Sequence, residues 1–407
     1  MIRCRVLTRL VTLAVLTLSM APATPAQEPH PSIFRLSDTL GAEWDNQFIA
    51  QPADPAPADA PPRPATIRTA RTTARDSYVR LARAPNMFGD TVRAVGQLRT
   101  VDNVGKTNLA LPILLAGAAN YNIAQNNKAT PTDRAYFLYN GFYRAINFVE
   151  PGLVPRPGSA DLHLYTAGIE KTFLDGLWSV DLRMPFTSGF QLNAADNNTN
   201  TGQVGNLSMF FKRMAYSGDE LAVSGGLGIG LPTGSDIEST LNGSPLVVQN
   251  EAVHLMPFMA MTYLPNDDWF VQGFTSLDFA ASGNEIVSGP QRFGVYTEQH
   301  LLHFDVTVGY WLAQEIDRRY LEGIAAIVEL HYTTTIHDTD RVPVTLPGTN
   351  GALANDPNRI DLLNLTAGIH LQLAPLSNLR VGAVVPLRAA PDRLFDSELQ
   401  VSFNRLF

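Results

Sequence analysis

From residue 135 onward the chain alternates between apolar and polar positions. In Trp178-Ser179-Val180-Asp181-Leu182-Arg183-Met184, Ser179, Asp181 and Arg183 share one face and the apolar residues the other. Leu302, Phe304, Val306, Val308, Tyr310 and Leu312 oppose His303, Asp305 and Thr307. Leu363, Leu365, Ala367, Ile369, Leu371 and Leu373 oppose Asn364, Thr366, His370 and Gln372. A period of two is the pleat of a β-strand. It predicts twelve strands: 135–149, 161–173, 177–187, 204–216, 219–232, 252–264, 268–281, 301–313, 320–334, 360–373, 378–389 and 395–407. Most run to about 11–15 residues, whereas soluble strands cluster near five or six and membrane-crossing strands need about nine to eleven. Alternation alone suits a half-buried sheet as well as a lipid-facing barrel.

The connections separate these two readings. Short turns (174–176, 217–218, 265–267, 314–319, 374–377) alternate with longer links (150–160, 188–203, 233–251, 282–300, 335–359), and only the last link, 390–394, breaks the pattern. Outer-membrane barrels have tight periplasmic turns and long outer loops. The fold class expected is all-β: a single antiparallel transmembrane β-barrel of 12 strands, with 13 or 14 as the alternative count. Both termini then lie on the periplasmic side. Phe173, Trp178, Tyr216, Tyr263, Trp269, Trp311 and Tyr320 flank short turns. They are expected as a membrane-interface girdle, where an apolar ring meets a wet edge. A secreted soluble β-sandwich is the competing architecture, and heat-modifiable migration on gels separates the two.

The residues before the barrel read differently. Residues 1–26 carry Arg3, Arg5 and Arg9, an apolar core from Leu10 to Met20, and Ala21-Pro22-Ala23 or Thr24-Pro25-Ala26 for cleavage, as in a signal peptide. Residues 27–108 are expected as a Pro/Ala-rich periplasmic linker, most clearly over 50–75. Within it, Ala84-Pro85-Asn86-Met87-Phe88-Gly89-Asp90 is a compact apolar patch that either docks on the barrel, plugs its lumen or stays a loose tail. Residues 109–134 are a lead-in whose apolar start fits a strand or a short buried helix, and 135–407 are the barrel.

Composition sharpens the compartment. Charged residues are 17% of the 407, below the roughly 25% typical of soluble chains. Outside the N-terminus no apolar run reaches the ~18 residues that mark a membrane helix. The net charge is −8, which argues against a nucleic-acid partner. Removal of the leader takes away three Arg and no acid, leaving 27 Lys+Arg against 38 Asp+Glu, or −11. It also removes Cys4, the single cysteine, and with it disulfides, thiolate metal sites and a Cys nucleophile. The location expected is the bacterial outer membrane, reached by export.

Polar residues on the strands must avoid lipid, where a midplane Arg or Lys costs about 2–4 kcal/mol. Glu170, Asp181, Arg183, Lys212, Gln272, Asp278, His303, Asp305, Glu329, His331, His370, Gln372, Arg380, Arg388 and Glu398, with Gln400, are therefore expected to line the lumen. His303, His331 and His370 could bind metal, but scattered histidines on different strands fit a polar network better. The Asn-rich stretch 193–203 lacks the carboxylate spacing of a calcium loop and reads as a flexible outer loop. The run 225–234 lacks the Lys-Ser/Thr ending of a phosphate loop. Its alternate glycines (226, 228, 230) leave room inside a barrel or allow its curvature. No nucleophile is marked, so neither enzyme activity nor a cofactor or metal is expected.

Two motifs carry a family resemblance. Gly205-Asn206-Leu207-Ser208-Met209-Phe210-Phe211-Lys212, followed by Gly225-Gly226-Leu227-Gly228-Ile229-Gly230-Leu231-Pro232-Thr233-Gly234, resembles a hairpin of the outer-membrane barrel family named for the meta-pathway of phenol degradation. Asp133-Arg134-Ala135-Tyr136-Phe137 and Gly168-Ile169-Glu170-Lys171-Thr172-Phe173 are similar to that family too, and the resemblance spans roughly 131–407. It implies a transporter of small solutes, hydrophobic or aromatic ones among them. The chain ends Leu399-Gln400-Val401-Ser402-Phe403-Asn404-Arg405-Leu406-Phe407. This resembles the terminal strand signature read by the barrel-insertion machinery, with Phe403 and Phe407 in place and Arg405 a departure. The partners expected are membrane lipid, that machinery and an unidentified solute. The function expected is a narrow channel. The alternative is a sealed structural barrel whose outer loops bind partners.

Overall fold

The computed structural model describes residues 80–90, 95–101, 107–114, 122–150, 156–187, 191–194, 197–200, 204–241, 243–316, 320–347, 349–355, 359–374, 376–390 and 392–407. The expected leader and the Pro/Ala-rich stretch 50–75 lie outside these residues. The chain divides into two units, Met1–Pro52 and Ala53–Phe407, and everything described belongs to the second.

Twelve strands close into one barrel: β1 (Arg134–Glu150), β2 (Arg156–Phe173), β3 (Trp178–Thr187), β4 (Ser208–Ser217), β5 (Leu221–Gly230), β6 (His254–Tyr263), β7 (Trp269–Ala280), β8 (His300–Ala313), β9 (Leu321–His337), β10 (Asp361–Leu373), β11 (Ser377–Pro386) and β12 (Ser397–Leu406). Each pairs antiparallel with its neighbour in sequence, and β12 closes on β1 from Ser397↔Tyr143 to Leu406↔Arg134. The fold is all-β, with the strand number and the antiparallel order read from the pattern. Closure removes every strand edge, which is what allows strands to cross lipid. No helix among the described residues is long and apolar enough to span a membrane.

The pleat sorts side chains as the alternation predicts. On β8, His303, Asp305 and Thr307 are buried while Phe304, Val306, Val308 and Leu312 are exposed. The outer face continues with Phe137, Ile169, Met259, Val328, Leu330, Ile369, Val381 and Leu399, all exposed and all apolar. A water-soluble surface would not carry so continuous an apolar band.

The long links are not plain loops. Hairpins Gln191–Ala194/Asn197–Asn200, Ile237–Leu241/Ser244–Val248 and Asn284–Ser288/Gln291–Tyr296 join into a six-stranded sheet. The stretch 193–203, expected as a flexible loop, thus supplies strand residues to this sheet. The link 150–160 is largely absorbed by β1 and β2, which extend to Glu150 and start at Arg156. A second sheet pairs Val342–Leu346 and Thr349–Asn355 with Val95–Val101 and Thr107–Leu114. Segments expected as linker and lead-in therefore contribute two strands on the long-link side. Val342, Val344, Leu346, Ile237, Leu246, Val248, Ile286 and Leu353 form an apolar core with Phe142, Leu164 and Val384 of the barrel.

Candidate functional site: the occupied lumen

Two stretches of chain run inside the barrel. The first, 80–90, starts at the short-turn end, where Arg80 Nε donates to Asp267 Oδ1 at 2.9 Å and Arg80 Nη1 to Asp219 O at 3.4 Å. It reaches Asn364 on β10, whose Nδ2 donates to Asp90 Oδ2 at 2.6 Å. The second, 122–133, starts against Asp305 on β8, where Asn122 Nδ2 donates at 2.8 Å. It returns to the short-turn end and runs into β1. Residues 84–90 and 122–132 are buried throughout. The two stretches touch each other: Met87 N donates to Asn127 O at 2.8 Å and Asn126 N to Phe88 O at 3.3 Å.

The lumen wall changes character around the barrel. On β4 to β9 it carries an apolar cluster. Phe210, Met214, Met256, Phe258, Phe270, Phe274, Trp311 and Ile327 pack with Leu81, Met87, Phe88, Ile123 and Ala124 of the inner stretches. Burying a side chain of the size of Leu, Met or Phe contributes about 1.5–3 kcal/mol, so these four large residues are strong anchors. Inward rings also lie over glycines on the neighbouring strand, Phe258 over Gly226 and Phe210 over Gly228. The glycine repeat thus makes room for rings.

On β1 to β4 the lumen is ionic. Glu170 accepts from Arg134 Nε at 2.8 Å, Ser179 Oγ at 2.7 Å and Lys212 Nζ at 3.1 Å. Asp181 accepts from Tyr136 OH at 2.6 Å and from Arg183 Nη2 at 2.9 Å. These cations also hold the returning stretch. Lys212 Nζ donates to Asn127 Oδ1 at 2.6 Å and Lys128 O at 3.0 Å, and Arg134 Nη1 to Asn126 O at 2.5 Å. Asn404 Oδ1 accepts from Asn126 Nδ2 at 2.9 Å. Between β8 and β12 the wall turns to hydrogen bonding. Glu398 accepts from Asn140 at 2.6 Å, His303 pairs with Thr333 at 2.8 Å, and His331 Nδ1 with Asp305 Oδ1 at 2.7 Å.

Most residues expected in the lumen point into it. Glu170, Asp181, Arg183, Lys212, Gln272, Asp278, His303, Asp305, Glu329, His331, His370, Arg380 and Glu398 are all buried on inward faces, as is Gln400. Gln372 is only half-buried, near the short-turn end, where its amide donates to Ser377 O. Arg388 is a correction. It lies beyond β11, which ends at Pro386, and its guanidinium is at the rim donating to Asp361 O at 2.8 Å.

Of the expected girdle, Phe173, Tyr216, Tyr263, Trp269 and Tyr320 are exposed, and Trp178 is half-buried. Phe173 stacks on Trp178 at 6.2 Å between centroids. Trp311 is the second correction. Its odd position on β8 puts it inward, where it packs on Phe270 and meets His370 edge-on. Tyr310, against Trp269 at 4.9 Å, takes the outward place. Phe407 is exposed at the same rim with Lys171 over its ring.

Sequence reasoning missed the inner stretch 122–133 and its receivers Asn140 and Asn404. The signal available was the cluster Asn120, Asn122, Gln125, Asn126 and Asn127, unusual beside so apolar a lead-in. Thr366, His331 and Asp305 are joined as hydroxyl, imidazole and carboxylate. Glu329 Oε2 competes for the same imidazole nitrogen at 3.3 Å, so the series does not present an activated hydroxyl. Among the described residues no group of three or more His, Cys, Asp or Glu is placed to hold a metal. Outside the barrel strands, burial raises the carboxyl pKa of Glu298, which accepts from Asn284 at the outer rim.

No family model matches the chain, and no curated protein does. The likeness of the 205–234 hairpin to the phenol meta-pathway family therefore stands on its motifs alone. Solved structures do match. An outer membrane channel from Pseudomonas putida F1 is 10% identical over 68% of this chain and 96% of its own, with a TM-score of 0.46. The β-domain of the Bordetella autotransporter BrkA is 11% identical over 68% and 100%, with a TM-score of 0.41. A deletion mutant of TodX, a monoaromatic hydrocarbon channel, is 10% identical over 69% and 91%, with a TM-score of 0.37. At these identities and overlaps they add nothing to what the lumen geometry shows.

Proposed function

We propose that the protein is an outer-membrane channel for small solutes, closed at rest by its own N-terminal segment. One observation carries this reading. The lumen is filled by two stretches of chain that lie outside the barrel ladder and are gripped mainly by side chains. They can shift without breaking a pair of the barrel ladder, whereas a sealed scaffold would fill its lumen from the strands themselves. The apolar wall on β4 to β9 suits solutes with an apolar face, and the family resemblance adds aromatic ones. Export through a cleaved leader, periplasmic termini and insertion through Phe403 and Phe407 complete the proposal.

The ordered outer sheets favour a second reading, a sealed barrel that presents its loops to partners. Liposome swelling separates the two. Proteoliposomes carrying a chain without residues 27–130, challenged with sugars, amino acids and small aromatics, should swell with at least one class. Swelling no faster than empty liposomes for every class would favour the sealed barrel.

A further inference from the structure

The barrel grips residues 85–90 mainly through their main chain. Every carbonyl from Pro85 to Gly89 has a partner. Gln272 Nε2 donates to Pro85 O at 2.7 Å, and Arg380 Nη1 to Asn86 O at 2.5 Å and also to Met87 O. Asn126 N donates to Phe88 O, and Gln400 Nε2 to Gly89 O at 3.0 Å. The amides are met in the same way. Phe88 N and Gly89 N donate to the two oxygens of Glu329 at 2.8 and 2.9 Å. Two consecutive amides thus fill one carboxylate, and two consecutive carbonyls fill one guanidinium. These groups are common to every peptide.

Besides Met87 in the apolar cluster, two side chains of the segment are read by the wall. The Phe88 ring lies against Gly368 and Gly382, a cross-strand pair where any Cβ would strike it, with the Arg380 guanidinium 5.2 Å from its centroid. Asp90 takes the Asn364 amide. The receiving side chains Gln272, Glu329, Asn364, Arg380 and Gln400 come from five strands and are all buried. Buried charges and amides stripped of partners are costly. Once the inner segment shifts, these groups are left to water or to an entering ligand that offers the same backbone pattern.

We propose that this wall is a binding site for short peptides entering the channel that can take the bent course of residues 85–90, left-handed at Gly89, and that residues 85–90 are its resident occupant. The site rests on the channel reading but is tested apart from it. The probe is N-acetyl-Pro-Asn-Met-Phe-Gly-Asp-amide, added to full-length protein carrying Phe88→Ala, which weakens the resident segment. Gly89→Ala serves if Phe88→Ala fails to give a heat-modifiable barrel. In planar bilayers the variant opens, and the peptide blocks the openings in a concentration-dependent way. Methylation of the Phe and Gly amide nitrogens, which removes both donors to Glu329, weakens block by about tenfold or more. Openings that the peptide leaves untouched overturn the site while the channel stands. If the variant never opens, fluorescence anisotropy of labelled peptide on the folded barrel decides. Saturable binding weakened by Glu329→Gln upholds the site although the channel reading fails, and no binding overturns it.

Discussion

Gly89 and Glu170 are the positions where one atom group decides the most. Gly89 has φ +72°, and a Cβ there would lie 2.3 Å from the Cα of Gln125. The left-handed conformation alone costs an L-residue about 1–2 kcal/mol, and the collision falls on backbone that cannot rotate away. Gly89→Ala is expected to push the two inner stretches apart and to make the channel flicker open in single-channel recordings. Traces as quiet as wild type would count against the tight pairing of 86–89 with 125–127. Glu170 joins Arg134 on β1, Lys212 on β4 and Ser179 on β3. Glu170→Gln leaves two buried cations undercompensated, and breaking such a pair costs about 3–5 kcal/mol. The temperature at which the folded gel band converts to the unfolded one should fall clearly. Adding Lys212→Met should recover part of that fall, because one of the stranded charges is then gone. Identical melting of Glu170→Gln and wild type would show the network to be energetically idle.

The strands were legible because lipid outside and a polar lumen inside impose a strict two-residue period on every crossing. β8 and β10 show it residue by residue, down to which of His303 and Phe304 points inward. Trp311 shows how a composition rule can override that period. A Trp beside a turn suggests the girdle, while its parity with His303 and Asp305 puts it inside. The outer hairpins were not legible, since short strands such as Gln191–Ala194 pair with other loops and leave no local repeat. The inner stretches were half legible. The patch 84–90 stands out as apolar, but its partners are single Gln, Glu, Asn and Arg residues scattered over β7, β9, β10, β11 and β12. The outer sheet gives an element-scale prediction. Leu98 and Leu353 are register partners, so Leu98→Cys with Leu353→Cys should form a disulfide under mild oxidation in the folded protein. Failure to cross-link would mean that Val95–Val101 does not pair with the loop between β9 and β10.

Across the whole molecule, the ionic wall, the apolar wall and the clamp on residues 85–90 converge on the same object, the chain inside the lumen. Its composition follows from this arrangement. Charge is scarce because one face of each strand meets lipid, and much of the charge the strands carry is turned inward. A barrel with twelve strands has room for this filling, since eight strands are already filled by side chains and sixteen to eighteen leave a wide channel. The most direct test of the closed-channel account is conductance in planar bilayers, comparing the full chain with a chain lacking residues 27–130. The account predicts near-baseline current with brief openings for the full chain and a steady, larger conductance for the truncated one. A correctly folded truncated barrel that stays at baseline would contradict it.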